Sequence, residues 1–347
     1  MKKNIVKSIK KVNLGIEILR LLLCLWIVFI HCSKIKKGHK QYFSKRFHVP
    51  SFFLISFYFY FPTLSKRLIN KIILRFQRLL IPYLLWPTIR LIIIIIINNI
   101  HVKYPKILSE KKFALKDIYM QILIGSSIHN ILWFQFNLLF LSLFFTIISF
   151  VFKKNTINIL LLIGNISFYF HVSRLSYNFL NTYKHYHLRY NLGNLIELMP
   201  IAVNGCILNS INILVKIKDI STYLNFIFFF KILILFKYDI FINQPGFYYS
   251  NVSLNIISSI MLFLLFGALP LYKIENEKFI LFIRYITKFT GGIYYTHIIF
   301  RNYLRKYSLF FYNRSYFSSL IIYFMCYFFC FIGNKLFKNN KIKYLFI

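Results

Sequence analysis

Long apolar runs alternate along this chain with short polar segments that are mostly basic. Each run is about 20 residues, the length a helix needs to cross the ~30 Å apolar layer of a bilayer. The pattern predicts about ten spanning helices, at roughly 14–32, 48–64, 78–98, 131–152, 156–173, 193–214, 222–237, 251–271, 279–299 and 316–336. The expected fold is therefore all-α, a polytopic transmembrane helical bundle, with residues 1–347 forming a single integral-membrane domain. The first run follows Met1-Lys2-Lys3 and Lys10-Lys11 and so imitates a signal peptide. His31-Cys32-Ser33-Lys34 after it offers no small-residue cleavage site, which predicts a retained span. An even number of spans puts both termini on one side, expected to be cytoplasmic, in the plasma membrane. Lys and Arg are nearly balanced between the two faces, so the positive-inside rule gives no orientation.

Two longer loops interrupt the pattern. One, near 99–129, carries Lys111, Lys112, Lys116 and Asp117; the other, near 174–192, carries Tyr183-Lys-His-Tyr-His187. Pro82 and Pro87 predict a bend in the third span, tolerable where the freed backbone groups line a cavity.

Composition changes the picture little. The 347 residues are 58% hydrophobic with a mean hydropathy of +0.61, outside the range of an ordinary soluble domain. Forty-four basic residues against eight acidic ones give a net charge of +36. They are scattered over every loop and not gathered on one domain, which excludes a nucleic-acid partner. The abundance of Lys, Asn, Ile, Phe and Tyr follows from AT-rich coding; attraction to membrane lipids with anionic headgroups, or to an acidic glycan, is the other reading. Cys24, Cys32, Cys206, Cys326 and Cys330 form no CxxC pair, so neither metal nor redox chemistry is expected.

The informative residues are ionisable groups inside apolar runs. Glu17, Arg20 and His31 share one face of the first span, Arg20 and His31 being about 20° apart in rotation and roughly 16 Å apart along the axis. A charge in a span costs on the order of 3 kcal/mol, so this stripe should face protein or a water-filled cavity. Arg75-Phe-Gln-Arg78 places two guanidinium groups on one helix face near the start of the third span. Two readings fit: snorkelling to headgroups, or a fork for a phosphate-bearing ligand. His129, Glu197 and His297 also lie in or beside apolar runs. A structural hydrogen bond accounts for a lone buried His, and a salt bridge for Glu197.

Together these pieces resemble the acyltransferase 3 family of membrane O-acyltransferases. Glu17-Ile-Leu-Arg20 with His31 resembles its Arg-x10-His first span. Val49-Pro-Ser-Phe-Phe-Leu-Ile-Ser56 is similar to its aromatic second span, and Arg75-Phe-Gln-Arg78 with Pro82 and Trp86 to its third. His129-Asn-Ile-Leu-Trp133-Phe134 and Gly292-Ile-Tyr-Tyr-Thr-His297 resemble two later motifs. One position departs: the family's Ser-Gly-Tyr or Ser-Gly-Phe is Ser56-Phe57-Tyr58 here.

The resemblance implies O-acetylation: transfer of an acetyl or similar small acyl group, donated by acetyl-CoA or another acyl-CoA, to a carbohydrate acceptor of the cell envelope. It implies that Arg75 and Arg78 bind the donor phosphates. His31 would then be the general base or a transient acyl carrier, with Arg20 and Glu17 beside it and no metal. The alternative it leaves open is an exporter of polysaccharide or lipid-linked glycan.

Overall fold

A computed structural model describes residues 13–32, 48–100, 132–153, 155–172, 186–216, 252–269, 276–307 and 316–347. Among these residues the fold is helical throughout, without strands. The helices are α1 (Leu14–Cys32), α2 (His48–Ser65), α3 (Ile69–Ile100), α4 (Trp133–Val151), α5 (Thr156–Val172), α6 (Tyr186–Ser210), α7 (Ile213–Lys216), α8 (Val252–Ala268), α9 (Glu277–Thr287), α10 (Thr290–Tyr307) and α11 (Tyr316–Leu336), followed by a 3₁₀ turn, Lys341–Phe346.

Among the described residues, four helical segments are long and apolar enough to cross a membrane: Leu14–Cys32, Trp133–Val151, Leu192–Ser210 and Tyr316–Leu336. Their outward faces carry exposed Leu22, Phe140, Ile147, Phe324 and Phe328, the residues that lipid would cover. The ten-span expectation is met only in this coarser form. The predicted span at 222–237 and the loop near 99–129 lie mostly or wholly outside the described residues. Three boundaries differ from the sequence reading. Helix α3 begins at Ile69, so Arg75 and Arg78 lie two turns inside it rather than at its start. Helix α6 begins at Tyr186, within the stretch read as loop. The run at 279–299 is two helices, α9 and α10, broken at Lys288-Phe289.

Lipid is as apolar as leucine, so helix association in a membrane rests on close packing rather than on removal of apolar surface from water. Two packing bodies result. One gathers α2, α4, α6 and α8 around Phe53, Phe57, Phe145, Cys206 and Phe263. The other gathers α10, α11, α3 and the 3₁₀ turn around Trp86, Phe289, Tyr295, Cys326 and Phe346. Helix α1 serves both, giving Ile16, Leu19 and Leu23 to the first and Cys24, Ile27 and Val28 to the second.

The departure at Phe57 is accommodated from across the interface. Phe57 is fully buried, 4.8 Å from the Phe145 ring and stacked on Phe53 at 6.5 Å. The close approach of α2 to α6 is supplied by Gly205, where a Cβ would run into the Leu54 carbonyl and meet the Tyr58 nitrogen at 3.0 Å. The small residue stands on the opposite helix.

Helix ends and kinks are held by identifiable groups. The Arg67 and Leu68 amides close α2 on the Leu64 and Thr63 carbonyls, the two bonds of a Schellman motif. Arg67 takes the left-handed conformation (φ 49°) that glycine usually fills, and its Nη2 donates to the Ser149 carbonyl at 3.0 Å. Pro200 inside α6 deprives the Ile196 carbonyl of its helical donor, and Ser167 Oγ on α5 donates to that oxygen at 2.8 Å.

Candidate active site

Helix α1 runs between two polar zones. At its first turns Glu17 and Arg20 pair, with Arg20 Nη1 donating to Glu17 Oε2 at 3.0 Å. Both side chains are only partly buried, so the pair adds little stability. It instead orients the guanidinium, whose Nη2 reaches Thr290 Oγ1 at 3.4 Å. Thr290 opens α10, and its hydroxyl donates in turn to the Thr287 carbonyl at 2.9 Å.

The break before α10 follows from local chemistry. Thr290-Gly291-Gly292 is a poor helix interior, and the glycines admit another backbone. A Cβ at Gly292 would meet Cys330 Sγ at 2.6 Å and the Phe346 carbonyl oxygen at 2.7 Å. The 3₁₀ turn is thus seated directly against the start of α10.

From Thr290, α10 rises beside α1. Seven residues on, about 10 Å up the axis, His297 reaches His31, their ring centroids 5.2 Å apart and tilted by 39°. His297 is fully buried. Its Nδ1 lies 3.2 Å from the Ile293 carbonyl oxygen, and its Nε2 has no hydrogen-bond partner among the described residues. One turn further, Arg301 Nη1 donates to the His31 carbonyl at 3.1 Å, while its Nε and Nη2 hold Asn302 Oδ1 at 3.0 and 2.8 Å. Arg301 therefore pins the last turn of α1 where His31 sits.

Aromatic rings wall the pair. Tyr294 lies 5.9 Å from His297 and 5.0 Å from Phe134, and Phe134 lies 5.1 Å from Phe53. Gln135 joins three helices: its Nε2 donates to the Leu79 carbonyl at 2.9 Å, and its Oε1 accepts from the Tyr295 hydroxyl. The motifs of the first, second, third, fourth and ninth predicted spans thus converge on one place. This arrangement can hold an imidazole in a fixed pose within a packed, largely apolar wall.

The two arginines of α3 part company. Arg75 turns inward, its Nε donating to Ser142 Oγ at 3.0 Å and its Nη2 to Ser56 Oγ at 2.9 Å. Its guanidinium lies over Tyr60 at 4.0 Å and Phe57 at 5.4 Å. Arg78 is exposed and lies over Tyr344 of the 3₁₀ turn at 5.8 Å. Of the two, Arg78 is open to a ligand.

The sequence matches a family described as an acyltransferase domain over residues 13–340. The chain belongs to the acyltransferase 3 family. It is a membrane acyltransferase in its general class, and the match takes in both polar zones. No curated protein and no solved structure matches the chain.

Within the family frame, the structure joins Glu17 to Arg20 and sets His31, roughly three turns away, beside His297. His297 stood in the sequence as one buried histidine among several. Arg301, four residues further on the same helix face, is the other residue missed, and that i, i+4 spacing was its available signal. His129 lies outside the described residues. Glu197 is buried in α6.

Proposed function

We propose that this chain is a membrane O-acyltransferase that moves an acetyl or similarly small acyl group from acyl-CoA to a hydroxyl of a cell-surface or exported carbohydrate. It would act in the plasma membrane with both ends of the chain cytoplasmic. The observation that carries this reading is the His31–His297 pair, 5.2 Å between ring centroids, set in the wall of apolar and aromatic side chains. His297 Nε2 is one of several buried polar atoms that lack a hydrogen-bond partner among the described residues; what singles it out is the second imidazole packed beside its ring.

In the proposed reaction His31 takes the proton from the acceptor hydroxyl as its oxygen attacks the thioester carbonyl. The tetrahedral intermediate collapses, the C–S bond breaks, and the proton passes to the departing thiolate. The products are the ester and free coenzyme A. His297 packs its ring against the imidazole of His31 and holds it in place, and is thus a positioning residue. Arg301 fixes the backbone that carries His31. Arg20, oriented by Glu17 and Thr290, faces the donor side, and Arg78 meets the donor phosphates. Arg75 holds α3 in place so that Arg78 can do so.

The test is acetyl transfer from labelled acetyl-CoA in membranes containing the wild-type chain or His31→Ala, following label into the extracted glycan. Label with the wild type that disappears with the variant supports the reading. Equal label with both, at equal protein in the membrane, overturns the role of His31. Glycan movement with no label would favour the exporter.

A further inference from the structure

Three cations, Arg78 and Lys288 exposed and Lys343 half-buried, come from elements far apart in sequence and gather where the 3₁₀ turn packs against the start of α10. Arg78 projects from α3, Lys288 stands in the break between α9 and α10, and Lys343 sits in the 3₁₀ turn. Two of them share the ring of Tyr344, with Arg78 Cζ at 5.8 Å and Lys343 Nζ at 5.7 Å from its centroid. Lys343 Nζ also donates to the Lys338 carbonyl at 3.3 Å, and Lys288 Nζ to Asn334 Oδ1 at 3.0 Å. Lys288, in a turn outside the spanning segments, has its amine held below the usual lysine range, by burial first and then by the charges of Lys343 and Arg78.

None of the three forms an ion pair with a carboxylate among the described residues, where the pair is Arg20–Glu17. Like charges brought together without an acidic side chain among the described residues raise the energy of the empty site and lower that of a bound polyanion. Snorkelling to headgroups requires no such convergence; it works equally well with cations spread apart. Lys343 is also not a loose tail residue. Tyr344, Leu345 and Phe346 beside it are buried, and Phe346 belongs to the same core as Phe289 and Cys330.

We infer that Arg78, Lys288 and Lys343 together form the site for the phosphate groups of the acyl-CoA donor, with the 3₁₀ turn as one of its walls. This rests on the acyl-CoA reading above and deepens it: the phosphate site is built from three elements, not from the α3 arginine pair. The site adjoins Thr290, and α10 leads from there to His297. The pantetheine arm of coenzyme A is the part of the donor that would join the two ends.

The experiment is equilibrium binding of coenzyme A to the full chain in nanodiscs of zwitterionic lipid, comparing wild type, K288A/K343A and K341A. Lys341 is an exposed lysine of the same turn and serves as control. Each lost charge-assisted contact should weaken binding about tenfold, so the double variant falls by about a hundredfold and K341A stays near wild type. Pantetheine, which has no phosphate, should bind wild type and the double variant equally. Equal coenzyme A affinity in wild type and K288A/K343A would overturn the site while leaving the donor reading intact. No coenzyme A binding to wild type would overturn both. Phosphatidylglycerol nanodiscs separate the sources of phosphate. A coenzyme A affinity insensitive to K288A/K343A, with anionic lipid bound less by the double variant, would assign the cluster to headgroups.

Discussion

Arg75→Ala should damage the fold, and Arg78→Ala should not. Arg75 donates two hydrogen bonds to serine hydroxyls on α2 and α4 and lies 4.0 Å over Tyr60. Bonds from a charged donor are worth about 1.5 kcal/mol each at the low end, and a partly desolvated cation–π contact about 1 kcal/mol. Allowing about 1 kcal/mol for no longer holding a charge among aromatic rings leaves a net loss of about 3 kcal/mol. Arg78 is exposed and among the described residues has a long cation–π contact, worth about 0.5 kcal/mol. The five cysteines are free and buried, so a thiol-reactive fluorophore reports unfolding of the solubilised protein directly. Arg75→Ala should lower the unfolding midpoint by roughly 5 °C or more, and Arg78→Ala by about 1 °C. Arg75→Lys should recover little, because an ammonium cannot reach both serines at once. An Arg75→Ala protein with an unchanged midpoint and lost coenzyme A binding would refute this reasoning and make Arg75 a ligand contact.

Gly205→Ala should cost several kcal/mol, because its Cβ would meet backbone of α2 that cannot rotate away; the fluorophore assay should show a midpoint drop larger than for alanine at an exposed position. His297→Gln should lower kcat by about a hundredfold while the dissociation constant of coenzyme A stays unchanged, which separates positioning of His31 from donor binding. Coenzyme A affinity should fall with rising pH earlier than ordinary lysines would dictate. Lys288 loses its charge as pH rises through a pKa held low by burial, Lys343 and Arg78, and binding is full only below that pKa. Lys288→Arg, which stays charged, should move the fall to higher pH; titrating affinity in both proteins checks it.

The spans with long uninterrupted apolar runs were legible in the sequence. Leu14–Cys32 and Trp133–Val151 match their predicted ends within about two residues, because polar groups bound them and bilayer thickness fixes their length. The break at Lys288 was hidden because α9 is amphipathic: its exposed Phe279, Leu281 and Phe282 raise the apolar count without making a span. The Glu17–Arg20 pair was legible because helical spacing fixes it locally. The meeting of His31 with His297 was not, since it joins positions 266 residues apart and depends on how α1 packs against α10. Arg75 and Arg78 look alike in sequence, and only the serines of α2 and α4 draw one of them inward. Lys288 and Lys343 were lost among 44 basic residues, where charge alone carries no position.

The axial offset between the Arg20 zone and the His31 zone has an electrical consequence. In the proposed reaction the acyl group passes from sulfur to the acceptor oxygen, and the hydroxyl proton ends on that same sulfur as free thiol. The two transfers exchange one formal cation for another, so each turnover moves no net charge across the offset. One charge carried alone over half the apolar thickness would be worth about 1.2 kcal/mol per 100 mV. The exchange cancels that work whatever the sign of the membrane potential. Collapsing the potential in sealed vesicles should leave the acylation rate unchanged with every substrate in excess.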